Sequence, residues 1–139
     1  MVGDHQSLVK IYSEPDHLKT FLNLRPDSAC HIDIENIYVE ETLGYIFGMN
    51  GKGSKKTPDI CAVLYNHTLD QIEHIFIIEI KSSFSTWNLS GARKQIQGYI
   101  DIIDLFFQEK ETTCSGIIIL DFYRELIEEE SPDNSLIRN

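Results

Sequence analysis

The sequence lacks several features that would assign a function class at once. It has three cysteines among 139 residues, an odd number without a CxxC or CxxH pair, so neither a disulfide framework nor a zinc site is expected. It contains no GxxxxGK[ST] loop, no GxGxxG fingerprint and no GxSxG elbow. The five histidines are scattered without metal-ligand spacing, and we interpret them as solvated or loop residues. Common nucleotide-binding, acyl-transfer and zinc-dependent chemistries therefore have no support.

Long apolar segments are also missing. No run approaches the roughly 18 apolar residues that a membrane span requires, and residues 1–10 lack the charged-then-apolar layout of a secretory signal. We expect a protein with no membrane association, located in the cytoplasm, or in the nucleus if the host is a eukaryote.

Positive charge is scarce but clustered. Lys and Arg number 12 against 22 Asp and Glu, giving a net charge of −10, which disfavours a general nucleic-acid binder. Lys52, Lys55 and Lys56 nevertheless lie close together, and part of the acidic excess falls in residues 124–139. A basic rim on an acidic body is compatible with nucleic acid, and the acidic surface could bind a protein partner. The length favours one domain over residues 1–139, with a core over about residues 30–123 and an acidic tail over about 124–139.

Residues 57–81 organise the chain. They read as two strands joined by a polar segment, with Asp59 opening the first strand and Glu79 and Lys81 closing the second. Because side chains alternate along a strand, Ile75 and Ile77 share the side of Glu79, and the other side is apolar as well. The pattern predicts a central strand covered on both faces. Charges at its end cost free energy unless they pair or hold an ion, as expected of a functional site.

The remaining elements are predicted from periodicity. Residues 14–22 begin like a helix, and residues 89–106 have helical spacing with Ser90 as a candidate N-cap. Residues 114–123 read as an interior strand, which predicts a crossover to a parallel neighbour. Residues 124–130 suggest a short acidic helix, and residues 131–139 a frayed end.

One region supports two interpretations. Residues 30–47 favour a helix to about Thr42 followed by a strand from Gly44 to Met49. The alternative is a strand over residues 31–39, where apolar and polar residues partly alternate.

The order of three short motifs resembles a known family. Residues 58–59 (PD), a strand, a turn and residues 79–81 (EIK) resemble the PD-(D/E)xK signature of the restriction-endonuclease-like nucleases. Residues 95–99 (QIQGY) resemble the QxxxY helix element of its RecB-like branch. The resemblance covers about residues 35–123. It implies an α/β fold with an αβββαβ core, in which a mixed central sheet is flanked by helices on both faces.

The resemblance also implies a metal site. Mg²⁺ or Mn²⁺ would be held by Asp59 and Glu79, which offer hard oxygen ligands, and by the carbonyl of Ile80. Glu41 is the candidate for an upstream glutamate that joins the site. Glu35 and Glu40 are the fallback candidates. The four-cysteine iron–sulfur cluster of some relatives is rejected, because this chain has three cysteines.

Catalytic and substrate-binding roles follow from the same resemblance. Lys81 would assist attack on the scissile phosphate, and Gln95 would position the water or Lys81. Tyr99 would contact the substrate backbone. The basic side chains that could also bind substrate are Lys55, Lys56 and Arg93.

The implied function is metal-dependent hydrolysis of nucleic-acid phosphodiester bonds, with DNA favoured over RNA. So small a nuclease is expected to need a homodimer or a protein partner for target choice. The alternative is a non-catalytic nucleic-acid- or protein-binding module on the same fold, such as an accessory protein of a virus or mobile element. A structural ion pair at the end of a strand would explain Glu79 and Lys81, but not Asp59 beside them.

Overall fold

The computed structural model describes residues 5–24, 32–81, 86–120 and 136–138. In this part of the chain no helix combines the length and apolarity needed to cross a membrane. The elements in chain order are α1 (His5–Tyr12), α2 (Pro15–Phe21), β1 (Ile32–Val39), α3 (Leu43–Phe47), β2 (Ile60–Asn66), β3 (Gln71–Lys81), α4 (Thr86–Phe106), β4 (Thr113–Leu120) and β5 (Leu136–Arg138).

One mixed sheet joins all the strands in the order β1-β2-β3-β4-β5. β2 is antiparallel to both β1 and β3, whereas β3 and β4 are parallel and β5 is antiparallel to β4. The parallel pair requires a crossover connection, and α4 supplies it. The predicted α/β class, the β2–β3 hairpin and the parallel β3–β4 pair are confirmed.

Helices cover both faces of the sheet and enclose two apolar clusters. α1 and α2 cover one face, and α4 covers the other. The first cluster contains Leu8, Val9, Tyr12, Leu18, Leu22, Ile60, Ala62, Ile78, Ile80, Ile117 and Ile119. The second contains Cys61, Val63, Ile75, Ile77, Ala92, Ile96, Tyr99, Ile100, Ile103, Ile118 and Leu120, among others.

The predicted alternation along β3 is confirmed. Ile75 and Ile77 pack in the cluster beneath α4, and Ile78 and Ile80 pack in the cluster beneath α1 and α2. Glu79 is therefore carried on a strand whose two faces are both buried, because the strand lies between two other strands and two helical layers. The two sequence-predicted core cysteines agree with this arrangement: Cys61 lies in the α4 cluster, and Cys114 packs against it.

The favoured interpretation of residues 30–42 as a helix is wrong for the described residues, since β1 spans Ile32–Val39. The alternative, a strand, is the one observed. Ile34 pairs with Leu64 and Asn36 with Val63, so Glu35 is an extra residue in a β-bulge. The bulge shifts the alternation by one. Ile34 and Ile37, three residues apart, therefore pack against the same cluster and imitate helical spacing.

The strand predicted from Gly44 to Met49 is also wrong, because residues Leu43–Phe47 form α3. The Oγ1 of Thr42 accepts a hydrogen bond from the Tyr45 N–H at 3.1 Å and caps the helix start. Gly48 ends the helix with φ 72°, in the left-handed region. The segment is too short for its apolar pattern to distinguish a strand from a helix. The caps at both ends stabilise the helix.

Two boundaries also differ from expectation. α4 begins at Thr86, so Ser90 lies inside the helix and does not cap it. Part of the acidic tail belongs to the sheet, since β5 pairs with β4 over residues 136–138 and is not frayed. Three residues are too few to show the side-chain alternation of a strand. Pairing with β4, rather than the local sequence, determines this strand. The predicted acidic helix over residues 124–130 lies outside the described residues.

Candidate functional site

The β2–β3 hairpin brings Asp59 and Glu79 together at its open end. The pairing of Ile60 with Ile78 places Asp59, one residue before β2, next to Glu79, one residue further along β3. The Asp59 N–H donates to Oε1 of Glu79 at 3.2 Å, and the Ile80 N–H donates to Oδ2 of Asp59 at 2.8 Å. Each carboxylate is thus oriented by the backbone of the other strand. The proximity expected from the sequence is observed.

The two carboxylates are close in a poorly solvated place. Glu79 is only 3% exposed. Burial is the largest cause that raises its pKa to about 8; repulsion by Asp59 and a side-chain hydrogen bond with Asp59 act in the same direction. The positive charge of Lys81 lowers the pKa of Glu79, but to a smaller extent. The raised pKa favours the protonated form of Glu79, because its ionisation would leave a second negative charge facing Asp59 in a poorly solvated place.

Tyr99 and Gln95 approach the pair from α4. The amide Nε2 of Gln95 donates to the Tyr99 hydroxyl at 2.9 Å, and that hydroxyl donates to the Thr57 carbonyl at 3.2 Å. Burial, followed by the negative charge of Glu79, raises the pKa of Tyr99. The helix spacing of four residues puts Gln95 and Tyr99 on one flank, as predicted.

The burial of Tyr99 does not fit direct substrate contact. Its side chain is 2% exposed, and its hydroxyl is already used between α4 and the segment that leads to Asp59. Tyr99 is better assigned to positioning Thr57, two residues from Asp59, with Gln95 in turn orienting the Tyr99 hydroxyl. Gln95 itself is exposed and remains free to contact a bound molecule through its other amide atom.

His5 joins the site, although no sequence pattern selects it. Its Nε2 lies 3.1 Å from Oδ1 of Asp59. α1 packs on the face of β3 opposite α4, so the carboxylate pair receives side chains from both helical layers at this edge of the sheet. His5 is not a loop residue, because it lies on α1; its side chain is 39% exposed to solvent and also contacts Asp59. No local motif identifies it, because the contact spans 54 positions in the chain.

Neither Glu40 nor Glu41 forms a metal-binding group with the pair among the described residues. Glu41 lies in the connection between β1 and α3 rather than on a helix, and in the described residues no group of three or more His, Cys, Asp or Glu side chains is arranged to hold a metal. Glu40 is exposed and in the left-handed region with φ 52°, and its N–H donates to the Asp59 carbonyl at 3.0 Å. The Glu35 side chain lies outside the described residues. The helix expected to carry Glu41 on its inward face does not exist, because residues Ile32–Val39 before it form a strand.

The basic residues chosen from the sequence lie on the surface. Lys55 and Lys56 are exposed on the loop that precedes Asp59, and Arg93 is exposed on α4 two positions before Gln95. Lys81 is partly buried at the end of β3. Their contact with a substrate stays a prediction.

The donor set fits a divalent cation of the magnesium type. Such an ion is usually bound by one or two carboxylates and keeps several waters, so it does not need three protein side chains. A carboxylate offers about four lone-pair positions. The contacts with His5 and with the two backbone N–H groups occupy one position on each Asp59 oxygen and one on Oε1 of Glu79, and the side-chain hydrogen bond between the two carboxyl groups uses a further position. Both residues therefore keep acceptor capacity, while a carbonyl contribution from Ile80 stays a prediction.

Comparisons of the chain with family models, curated proteins and solved structures gave no match.

Proposed function

We propose that the chain is a metal-dependent nuclease that hydrolyses phosphodiester bonds of nucleic acid, with DNA favoured over RNA by the resemblance of its motifs. One observation carries the proposal. Asp59 and Glu79, on adjacent strands, converge beside the apolar core, where Glu79 is only 3% exposed and its raised pKa favours a bound proton. A divalent cation would replace that proton and neutralise both carboxylates.

The architecture supports the same proposal. The elements α2, β1, β2, β3, α4 and β4 follow the αβββαβ order that the resemblance implies, with α3 as a short addition between β1 and β2. Helices cover both faces of the mixed sheet. We infer that the fold is restriction-endonuclease-like. Its EIK segment ends the central strand β3, and its QIQGY segment lies on the crossover helix α4.

Each residue has a chemical task in this proposal. Asp59 and Glu79 would hold Mg²⁺ or Mn²⁺. When bound, the ion would supply positive charge that lowers the pKa of a nearby water and stabilises charge on the phosphate. Lys81 is close enough to affect the pKa of Glu79, and its ammonium would stabilise negative charge as it develops on the phosphate. Thr57 and Tyr99 would fix the backbone that presents Asp59.

A cleavage assay tests the proposal. Purified wild type, Asp59→Asn and Lys81→Ala would be incubated with single- and double-stranded DNA and RNA in Mg²⁺, Mn²⁺ or EDTA. We expect metal-dependent cleavage by the wild type and its loss in both variants. Glu41→Gln is the matched control and should cut like the wild type, because Glu41 is not gathered with the pair. Wild-type rates in Asp59→Asn would refute the assigned site.

One observation favours a second candidate, a non-catalytic binding module. The described part of the chain gathers two carboxylates and no third acidic or histidine ligand in a metal-binding arrangement. A pair held by a proton would then stabilise the hairpin end without chemistry. Titration with Mn²⁺ separates the two candidates. Binding that Asp59→Asn abolishes favours the nuclease, and a folded wild type that neither binds metal nor cuts favours the module.

A further inference from the structure

The loop over residues 49–57 and the C-terminal half of α4 enclose a cavity of about 320 Å³. Its walls are mainly apolar and come from both elements, whereas exposed lysines belong to the loop side. The lining residues are Met49, Asn50, Lys52, Lys56, Ile102, Leu105 and Phe106.

The loop is fixed against the rest of the protein. Gly53 has φ 91°, a backbone conformation that favours glycine, and a Cβ there would lie 2.4 Å from Cδ1 of Ile102, so the loop backbone packs closely on α4. The carbonyls of Ser54 and Lys56 accept hydrogen bonds from the N–H groups of Gly44 and Leu43 at 2.7 and 2.9 Å. The lysines of the cavity are therefore attached to a braced backbone.

The cavity shares both of its elements with the carboxylate site. The loop continues directly into Thr57 and Asp59, and Tyr99 connects Thr57 to α4. Phe106 lies seven residues, about two turns or roughly 10 Å, further along α4 than Tyr99. At a rise of about 3.4 Å per nucleotide, a strand would cover that distance in about three nucleotides.

The cavity combines an apolar wall with a cationic rim. Leu105 and Phe106 are 68% and 48% exposed and adjacent in the chain, so together they present an apolar surface at the cavity. Lys52 and Lys56 provide positive charge on a chain whose net charge is −10. A purely apolar partner would leave these lysines without a counterpart. A ligand with flat apolar groups and repeated negative charges would match both features.

We propose that this cavity binds a base of single-stranded nucleic acid, with the base against Phe106 and the neighbouring phosphates on Lys52 and Lys56. Bases in a duplex are stacked and paired inside the helix, so a side-on cavity of this kind selects an unpaired strand. The proposal rests on the proposed nuclease function for its place on the substrate path. It deepens that function by assigning a single-stranded substrate.

The test is binding of a fluorescein-labelled twelve-nucleotide thymidine strand, followed by fluorescence anisotropy in EDTA so that no cleavage occurs. Phe106→Leu should weaken binding by about 5-fold to 150-fold, the range that corresponds to about 1–3 kcal/mol for loss of a stacked base. The double variant Lys52→Gln with Lys56→Gln should reduce the slope of log affinity against log salt by about 1.4, or about 0.7 per phosphate contact.

Two further variants serve as a control and as a second test of the cavity. Lys10→Gln removes an exposed lysine from α1, in the opposite helical layer, and should bind like the wild type. Leu105→Glu adds a negative charge at an exposed position beside the cavity and should weaken binding without unfolding, as checked by thermal melting. Unchanged affinity in Phe106→Leu and Leu105→Glu would overturn the proposal. So would tighter binding of a duplex of the same length, or self-association of the chain through this face that these variants abolish.

Failure of this inference is distinguishable from failure of the proposed function. If metal-dependent cleavage is lost in Asp59→Asn but the cavity variants bind and cut normally, the nuclease stands and the base-binding cavity falls. If no cleavage occurs with any metal but the cavity variants lose strand binding, the cavity stands on a non-catalytic binding module.

Discussion

The two ends of the β2–β3 hairpin both contain buried polar groups, but the partners of these groups differ. At the turn end, Asn66 is 6% exposed; its Nδ2 donates to Oε1 of Glu73 at 3.2 Å, and its Oδ1 accepts from the Leu69 N–H at 2.9 Å. At the open end, two carboxyl groups meet, and burial and the neighbouring Asp59 raise the pKa of Glu79. The buried side chain at the turn end pairs with groups of opposite hydrogen-bonding character, whereas the open end brings two acidic side chains together.

This difference distinguishes a polar group that stabilises the fold from a polar pair that we propose to be functional, within one hairpin. A donor–acceptor match stabilises the fold without any ligand, as the turn end requires. A buried carboxyl group beside a partly buried one is an arrangement that stability alone would not favour, since an apolar pair of similar size would avoid the repulsion. The open end is therefore the part of the hairpin that best fits a cation-dependent activity.

The substitution Glu79→Gln tests the difference between the two ends of the hairpin most directly. We expect loss of cleavage by more than about 100-fold, the upper size associated with removing groups that merely support metal ligands. Without metal, the variant should be as stable as the wild type or more stable at pH 8. The reason is that the introduced amide can donate to Asp59 where a proton is otherwise needed. Cleavage rates in Mg²⁺ and thermal melting in EDTA measure the two effects.

The matched control lies at the turn end of the same strand. Glu73→Gln keeps an amide oxygen for the Asn66 hydrogen bond and should leave cleavage unchanged. Equal losses of activity in Glu73→Gln and Glu79→Gln would mean that the hairpin as a whole, rather than its open end, determines activity.

The sequence predicts the open end well, for physical reasons. The alternation of side chains puts Glu79 and Lys81 on one face of a strand whose apolar run marks it as central. The hairpin then determines that Asp59 is beside Glu79, because the two strands are joined by a short polar segment. QIQGY needs only helical spacing to put Gln95 and Tyr99 on one flank. All of these are local regularities.

The predictions from sequence are wrong where tertiary packing, rather than a local pattern, determines the structure. The bulge at Glu35 imitates helical spacing, so the pattern predicts Glu41 on an inward helix face that does not exist. His5 reaches Asp59 only because α1 packs across the sheet, and no period in residues 5–12 encodes that contact. Helical spacing places Tyr99 on the correct flank, but its depth depends on how closely α4 approaches β4. That approach is close, because a Cβ at Gly116 would lie 2.1 Å from Cγ2 of Ile96.

The turn end is tested by Asn66→Ala. This change removes a donor to Glu73 and an acceptor for Leu69 in a buried position, and we expect a loss of about 1–3 kcal/mol in the free energy of unfolding. Urea unfolding measures it. Cleavage per folded molecule should not change, since Asn66 is at the opposite end of β2 from Asp59. A selective loss of activity with unchanged stability would contradict the division between the two ends.

The smallest expected effect concerns pH and metal together. Folding raises the pKa of Glu79 from 4.5 to about 8, so the folded chain binds more protons than the unfolded chain in that range. Stability in EDTA should therefore be fully present below about pH 4.5 with respect to this group, and the contribution should be lost as pH rises through about 8. Mg²⁺ competes with the proton, so its stabilising effect should increase over the same interval.

At a Mg²⁺ concentration ten times the dissociation constant, stabilisation amounts to about 1.4 kcal/mol. We expect thermal melting to show a gain of this order at pH 9 and a smaller gain at pH 6, where the proton still occupies the pair. Glu79→Gln is the most informative control, because it removes both the titrating group and one proposed ligand. The dependence of stability on pH and the gain in stability from Mg²⁺ should therefore decrease together. A Mg²⁺ effect that is equal at both pH values, and equal in Glu79→Gln, would place the ion elsewhere on the acidic surface and remove the distinction between the two ends of the hairpin.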